Sequence, residues 1–459
     1  MNRQRTNRTA RLLALLLVLA LIAAACGNDS SADPEETPSV DVPASDNPPV
    51  EGEPTDDARA DNPEPADNPE PTEPIDTDTG VTGKVIRVGV VFPDITLIGR
   101  DPGDVEAKFT TVADAINEAG GINGRVLELH ISLVNPLDDL DFDATCVEMV
   151  EDIEVFAVVG LLPRTNSDCY AGLNDTIVIN TFEIGPTQMA GYTAPGITLL
   201  AHSDRLVADR VQALVDGGAL SPGMKVAVLG ADAAEASHQA YLNALDAAGV
   251  DVVTERLSLA DGQDTVALTN ELTVIAETWN ANGAEAVLGS FPLAAQALLI
   301  AYESSRSQLP MLLPEGITVP PSILRNTLGL SLEPFELAIA LVDGASPAMK
   351  YETGEHGVRE CVDNFEAASG EAVALDESRN NLGPTMVACQ VFDIFTQIAE
   401  SAGVNLTTET FAAAAEAFGP ITVTNLAAAS LGEGKWDLND TVGELGEFNA
   451  DTEQFQPVR

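Results

Sequence analysis

Residues 155–182, VFAVVGLLPRTNSDCYAGLNDTIVINTF, hold two short runs that limit the fold more than any other part of the chain. The run 155–159 is apolar throughout and closes on Gly160; the run 176–179 is β-branched and closes on Asn180 and Thr181. A strand with one wet face alternates polar and apolar residues. A run without alternation has both faces covered, as in a parallel sheet between two layers of helices. In such sheets ligands bind just past the carboxyl ends of the strands. Two loops are therefore expected at one edge, 164–167 and 180–183.

The flanking pattern agrees. A strand is expected at 85–92, a helix at 104–119, a Gly-rich turn at 120–125, a strand at 126–134 and a helix at 144–151. The order β-α-β-α-β-α-β indicates a doubly wound parallel sheet with right-handed crossovers. After about residue 201 the pattern restarts. Helices are expected at 203–217, 234–248, 265–280 and 292–304, and strands at 224–229, 250–256, 284–288 and 311–313. A chain of 459 residues is too long for one ordinary domain. The expected fold class is α/β, two doubly wound parallel-sheet lobes with a cleft between them, a favoured place for a small molecule.

The first residues are a targeting segment. Arg3, Arg5, Arg8 and Arg11 precede an apolar stretch, 12–25, too short to span a bilayer as a helix. It ends Ala23-Ala24-Ala25-Cys26-Gly27, which resembles a bacterial lipoprotein signal in which the cysteine is lipidated, although Ala23 stands where leucine is usual. Residues 1–25 are read as the signal peptide, and 26–83 as lipidated Cys26 plus an acidic, Pro-rich spacer. Residues 27–80 hold 11 Pro, 17 Asp+Glu and one Arg, too few apolar groups to offset chain entropy. The anchor would hold the protein to a membrane without spanning it.

Charge excludes some partners. With 72 Asp+Glu against 22 Lys+Arg, the formal net charge is −50, which argues against nucleic acid, bound by neutralising phosphates. It serves solubility through self-repulsion.

Four segments then carry a family resemblance: VIRVGVVFPD with the later INEAGGINGRVLEL, CVEMVEDIEVFAVVG, DTIVINTFEIGPT, and MLLPEG. In this order they resemble the type I periplasmic binding proteins, specifically the leucine/isoleucine/valine-binding-like branch of ABC-transporter substrate-binding lipoproteins. The likeness spans residues 84–459. It implies lobes that share the chain through three crossings: 84–202 with 340–420, and 203–339 with 421–459. Helices 355–368 and 385–401 would return to the first lobe.

The resemblance also implies a ligand set. From the first lobe come Arg164, Thr165, Asn166, Asn180, Thr181, Phe182 and Glu183; from the second, Asp232, Phe291 and Glu315. Arg164 would fork onto a carboxylate, and Glu315, in Pro314-Glu315-Gly316, would face an ammonium. LLPRTNSDC and NTFEIG are bulkier than the family's loops and there is no aromatic near 233–234, so leucine itself is not implied. Besides Cys26 there are Cys146, Cys169, Cys361 and Cys389, an even number in an exported chain. Three pairings are open, of which the sequence-local one, Cys146–Cys169 and Cys361–Cys389, fits the family best.

Enzyme chemistry finds little support. His130, His202, His238 and His356 are scattered, without HExxH spacing, a GxSxG elbow or a P-loop. Asp139, Asp141 and Asp143 have calcium-loop spacing, but Ala144 and Val150 stand where such a loop needs Gly and Glu, so an acidic turn is expected, with no metal and no cofactor. The expected function is extracytoplasmic capture of a small polar solute, an amino acid or related amide or carboxylate, for the permease subunits of an ABC importer. The alternatives are a ligand-sensing lipoprotein and a structural one with a vestigial cleft.

Overall fold

The computed structural model describes residues 74–458 other than 99, 137, 163–165, 203, 232–233, 258–264, 292, 306, 318–320, 327–328, 343–346 and 376–380. The signal segment, Cys26 and residues 27–73 of the spacer lie outside these residues.

The first lobe is built on β1 (Val85–Pro93), β2 (Val126–Val134), β3 (Ala157–Gly160), β4 (Ile177–Asn180) and β5 (Gly196–Thr198). All pair in parallel, in the order β2-β1-β3-β4-β5. Both faces of the central strands are covered, as their composition requires. Val88, Val90, Ala157, Val159, Ile177 and Ile179 enter one core, and Val91, Val158 and Val178 another. The second core is closed by α2 (Asp139–Val147). The first is closed by α1 (Val105–Glu118) together with two helices from much later in the chain, α11 (Leu382–Ala402) and α12 (Thr408–Glu416). Phe109 meets Phe92 and Phe392 edge-on within it, and Phe156 meets Phe395 and Phe411, contacts worth about 0.5–1.5 kcal/mol beyond area burial.

Short-range sequence signals position these elements. Asp104 caps α1 by accepting the Ala107 N–H at 2.9 Å. In the turn that follows, Gly121 has φ +70, and a Cβ there would lie 2.0 Å from the Arg125 carbonyl oxygen, so only glycine fits. Arg125 is fully buried. It donates to the carbonyls of Thr82, Ile75 and Val404, tying the start of the folded body to the base of the first lobe. The Asp139–Asp143 spacing belongs to the first turns of α2, where Asp141 accepts the Asn135 N–H at 2.7 Å.

The second lobe contains β6 (Lys225–Ala231), β7 (Asp251–Leu257), β8 (Ala286–Gly289), β9 (Met311–Leu313), β10 (Ile339–Val342), β13 (Glu444–Asn449) and β14 (Gln454–Pro457), in the order β14-β13-β10-β9-β8-β6-β7, while the short strands β11 (Gly419–Pro420) and β12 (Ser430–Leu431) pair with each other. β6 to β10 are parallel; β13 and β14 add an antiparallel edge. One face packs on α4 (Val207–Asp216) and α5 (Glu235–Ala247), the other on α6 (Thr265–Ala281) and α7 (Ala294–Ser304); α3 (Pro186–Met189), α8 (Pro321–Asn326) and α9 (Pro347–Thr353) are short.

The expected lobe boundaries shift. Residues 339–342 stay with the second sheet as β10, through register with β9. Ile421, Val423, Ala429, Leu431 and Leu438 pack in the first core, so the final passage to the second lobe comes after 438 rather than at 421. Among the described residues the cysteines form Cys146–Cys169 and Cys361–Cys389. The first joins α2 to the turn Asp168–Gly172, just past the loop at 161–167; the second joins α10 (Val358–Ser369) to α11.

Candidate functional site

The chain leaves the first sheet from the carboxyl end of β5 and next enters α4 of the second lobe. It leaves the second sheet from the carboxyl end of β10, and α10 and α11 then pack on α1. The third passage runs beside the first: the Thr198 N–H donates to the Trp436 carbonyl and the Leu438 N–H to the Thr198 carbonyl, both at 2.9 Å. The carboxyl edges of both sheets therefore lie on the side where the lobes join, the side on which open α/β sheets take ligands.

These passages are cross-linked by charge. Asp437, 1% exposed, accepts the His202 N–H at 2.9 Å and the Arg205 Nε–H. Arg205 also reaches Asp440 at 2.9 Å and the Asn439 carbonyl. Burial works against the Asp440 charge, but the Ser430 hydroxyl and the cations Lys435 and Arg205 outweigh it and hold the carboxyl below its ordinary range.

On the first lobe's edge, Asn180 is a scaffold. Its Oδ1 accepts the N–H groups of Leu162 and Phe182 at 3.0 and 3.1 Å, and its Nδ2 donates to the Leu162 carbonyl at 2.8 Å and to Ser167 Oγ at 3.3 Å. One buried amide thus bonds Leu162 and Ser167, past β3, and Phe182, past β4. Thr181 donates its hydroxyl to the Gly160 carbonyl at 3.1 Å. Gly160 itself has φ +136, and a Cβ there would stand 2.2 Å from the Val91 oxygen. Arg164 and Thr165 lie outside the described residues. Asn166, half-buried, has a covered Nδ2 without a hydrogen-bond partner. Phe182 and Glu183 are half-buried at the same edge.

On the second lobe's edge, the turn after β9 places Glu315 between two helices. Its Oε2 accepts Arg210 of α4 at 2.7 Å and its Oε1 accepts the Tyr241 hydroxyl of α5 at 2.6 Å. The Arg210 and Glu315 side chains are 12% and 9% exposed. Burial pulls the Arg210 pKa down, but Glu315 and then Tyr241 more than offset it, and the net shift is upward. Burial, then the Glu315 charge, pushes the Tyr241 phenol well above its usual value. The cation that Glu315 calls for is thus part of the chain. Phe291 is 2% exposed within the core rather than at the edge, and Asp232 lies outside the described residues.

Other groups at this edge escaped the sequence reading. Ser290, fully buried, donates its hydroxyl to the Leu229 carbonyl at 3.1 Å, which leaves the His238 Nδ1 proton to donate to Oγ at 2.8 Å. The Ser237 hydroxyl adds a bond to the Ser290 carbonyl at 2.9 Å. A Cβ at Gly230 would lie 2.3 Å from His238 Nδ1, so the ring sits where β6 carries no side chain. Arg210 did carry a signal. It falls three residues after Val207 and four before Leu214, on the buried face of α4, where a lone cation demands an acid.

No protein-family model and no curated protein matches this chain. Solved structures do. A fatty acid ABC transporter substrate-binding protein from Thermomonospora curvata is similar with a TM-score of 0.56 at 14% identity, covering 83% of this chain and 92% of its own. A putative branched-chain amino acid ABC transporter from Rhodospirillum rubrum is similar with a TM-score of 0.56 at 15% identity, covering 82% and 99%. A solute-binding protein of an ABC transporter from R. palustris, in complex with 4-hydroxybenzoate, has a TM-score of 0.54 at 14% identity, covering 82% and 96%. At this identity the likeness establishes the fold: the chain has the two-lobed α/β architecture of type I periplasmic binding proteins, as found in ABC-transporter substrate-binding proteins of the leucine/isoleucine/valine-binding type.

Proposed function

We propose that this chain is an extracytoplasmic substrate-binding lipoprotein of an ABC importer, anchored through Cys26, that captures a small polar solute between its lobes and delivers it to a permease. The observation that carries the reading is the pair of sheet edges turned toward the lobe junction, with the passages between lobes cross-linked at Arg205 and Asp437. A hinge of this kind lets a ligand favour a closed form that a partner recognises. The similar proteins named above are described as substrate-binding or transport proteins, which supports binding over catalysis.

Of the ligand residues implied by sequence, Asn166, Phe182 and Glu183, with Arg164, Thr165 and Asp232, remain the proposed contacts. Asn180 and Thr181 shape the loops, and Glu315 serves the second lobe internally. The test is thermal melting against amino acids, amides and small carboxylates, with small-angle scattering to read compaction. A ligand at 100 times its Kd adds about 2.7 kcal/mol, and the hit should also reduce the radius of gyration. Stabilisation without compaction would remove the cleft from the reading. No shift across the panel would favour the structural lipoprotein.

A further inference from the structure

The start of α7 follows directly from β8, in the middle of the second sheet, at its carboxyl edge. The helix is 11 residues long and its N-cap is Leu293, whose side chain caps nothing. Of the first-turn N–H groups, that of Ala294 donates to the Phe291 carbonyl and that of Ala297 to the Leu293 carbonyl, the latter at 3.5 Å. The carbonyl of residue 292, the ordinary acceptor for the next N–H groups of the helix, lies outside the described residues. Gln296 occupies the third helical position, where a glutamine ordinarily bonds back to the N-cap. Here it is 2% exposed and neither its Nε2 nor its Oε1 has a partner. Side chains on a helix lean back toward its N-terminus, so the amide lies at the helix start. The neighbours are apolar: Phe291, Leu293 and Ala294 are each at most 9% exposed.

A buried amide with no partner costs stability, and it stands where partial positive charge from the helix favours an anion. We propose that this helix start is the second lobe's ligand contact, and that it receives the carboxylate of a solute with an apolar body. The Gln296 Nε2 would donate to the carboxylate, within the positive end of the helix dipole. The acid expected to hold an ammonium, Glu315, is engaged by Arg210 and Tyr241. The inference rests on the solute-binding reading and narrows its ligand class to monocarboxylates over zwitterionic amino acids.

The test uses isothermal titration of the full chain with hexanoate and benzoate, their primary amides, and L-leucine, on the parent and Gln296→Met, a substitution close in volume. An acid binding at least tenfold more tightly than its amide and than leucine, and at least tenfold more weakly to Gln296→Met, is the expected result. The variant should also melt higher than the parent without ligand, because it removes an unsatisfied buried amide; a lower melting temperature would mean that Gln296 has an internal role, and would overturn the inference. Leucine binding as well as the acids, or acid binding indifferent to Gln296→Met, overturns it while leaving the solute-binding function standing. No binding by any of these, when the wider panel above does yield a ligand, overturns the carboxylate assignment alone; failure of both panels removes the function with it.

Discussion

Glu315→Ala separates two roles for one residue. As a ligand's ammonium partner, its loss would weaken binding and leave the fold intact. The geometry predicts the reverse. Arg210 and Tyr241 both turn to this carboxylate, and both charged side chains are nearly buried. Removing one partner of a buried pair costs about 3–5 kcal/mol, because the other charge stays buried and unpaired. Unfolding entropy of about 2.1 cal/mol/K per residue over a body of about 380 residues gives roughly 0.8 kcal/mol/K. The expected fall in Tm is therefore about 4–6 °C if the body melts as one unit, and about twice that if the second lobe melts alone. Calorimetry distinguishes the two cases. Replacing the pair, as Arg210→Met with Glu315→Leu, should recover most of the loss, since apolar substitutes for buried pairs are often neutral. The affinity of the variant that remains folded should stay within about threefold, below 1 kcal/mol. A Tm change under about 1 °C in Glu315→Ala, or a double variant whose loss is the sum of the singles, would refute the reasoning.

Other expectations follow from the same geometry. Arg205→Lys keeps the charge but loses the fork that reaches Asp437 and Asp440 together; it should cost about 1.5–3 kcal/mol in denaturant melts and change the open-to-closed ratio seen by scattering. Replacing Cys146 and Cys169 by Ser opens a loop of 23 residues' separation, and urea titration should show about 3 kcal/mol of lost stability. Asp393 is raised above its ordinary value of 3.8, chiefly by burial, despite accepting the Thr424 N–H at 2.7 Å. Its folded form holds the proton to a higher pH than the unfolded form. The stability this confers is complete below the unfolded value and is lost as pH rises through the folded one. Asp393→Asn should flatten that part of the pH-dependent melting curve. Because the chain carries a formal −50, association of an anionic solute should quicken as salt is raised from low concentration, the reverse of a steered pair; stopped-flow rates would decide it.

Much of the fold is local in origin and could be read without coordinates. The unbroken apolar runs at β3 and β4, the boundaries of β2 and β9, and the alternation of strands with helices follow from periodicities of 2.0 and 3.6. The loops past β3 and β4 were found in the same way. Less visible were β5, β10, β13 and β14. β5 and β10 are only three or four residues long, and β13 and β14 alternate weakly, forming a hairpin that joins the sheet through β13 pairing with the distant β10. The boundary expected at 421 moved for a related reason, since Ile421 to Leu438 share the first core with residues of α11 and α12, a packing that no local pattern shows.

The class of architecture follows from the chain's pattern alone, because covering both faces of several apolar strands admits few solutions. The same pattern also narrowed the positions at which a ligand can be met. Which polar groups remain available at those positions was decided by tertiary structure alone. Asn180, Thr181 and Glu315 have the same chemistry as ligand-binding residues, and nothing in their spacing reveals that Leu162, Gly160 and Arg210 already occupy them. Gln296 is the converse, a single glutamine in an apolar helix whose amide is left without a partner by everything packed around it. A hydrogen bond joins two atoms in space, and its partner here lies up to 105 residues away, beyond the reach of any local pattern.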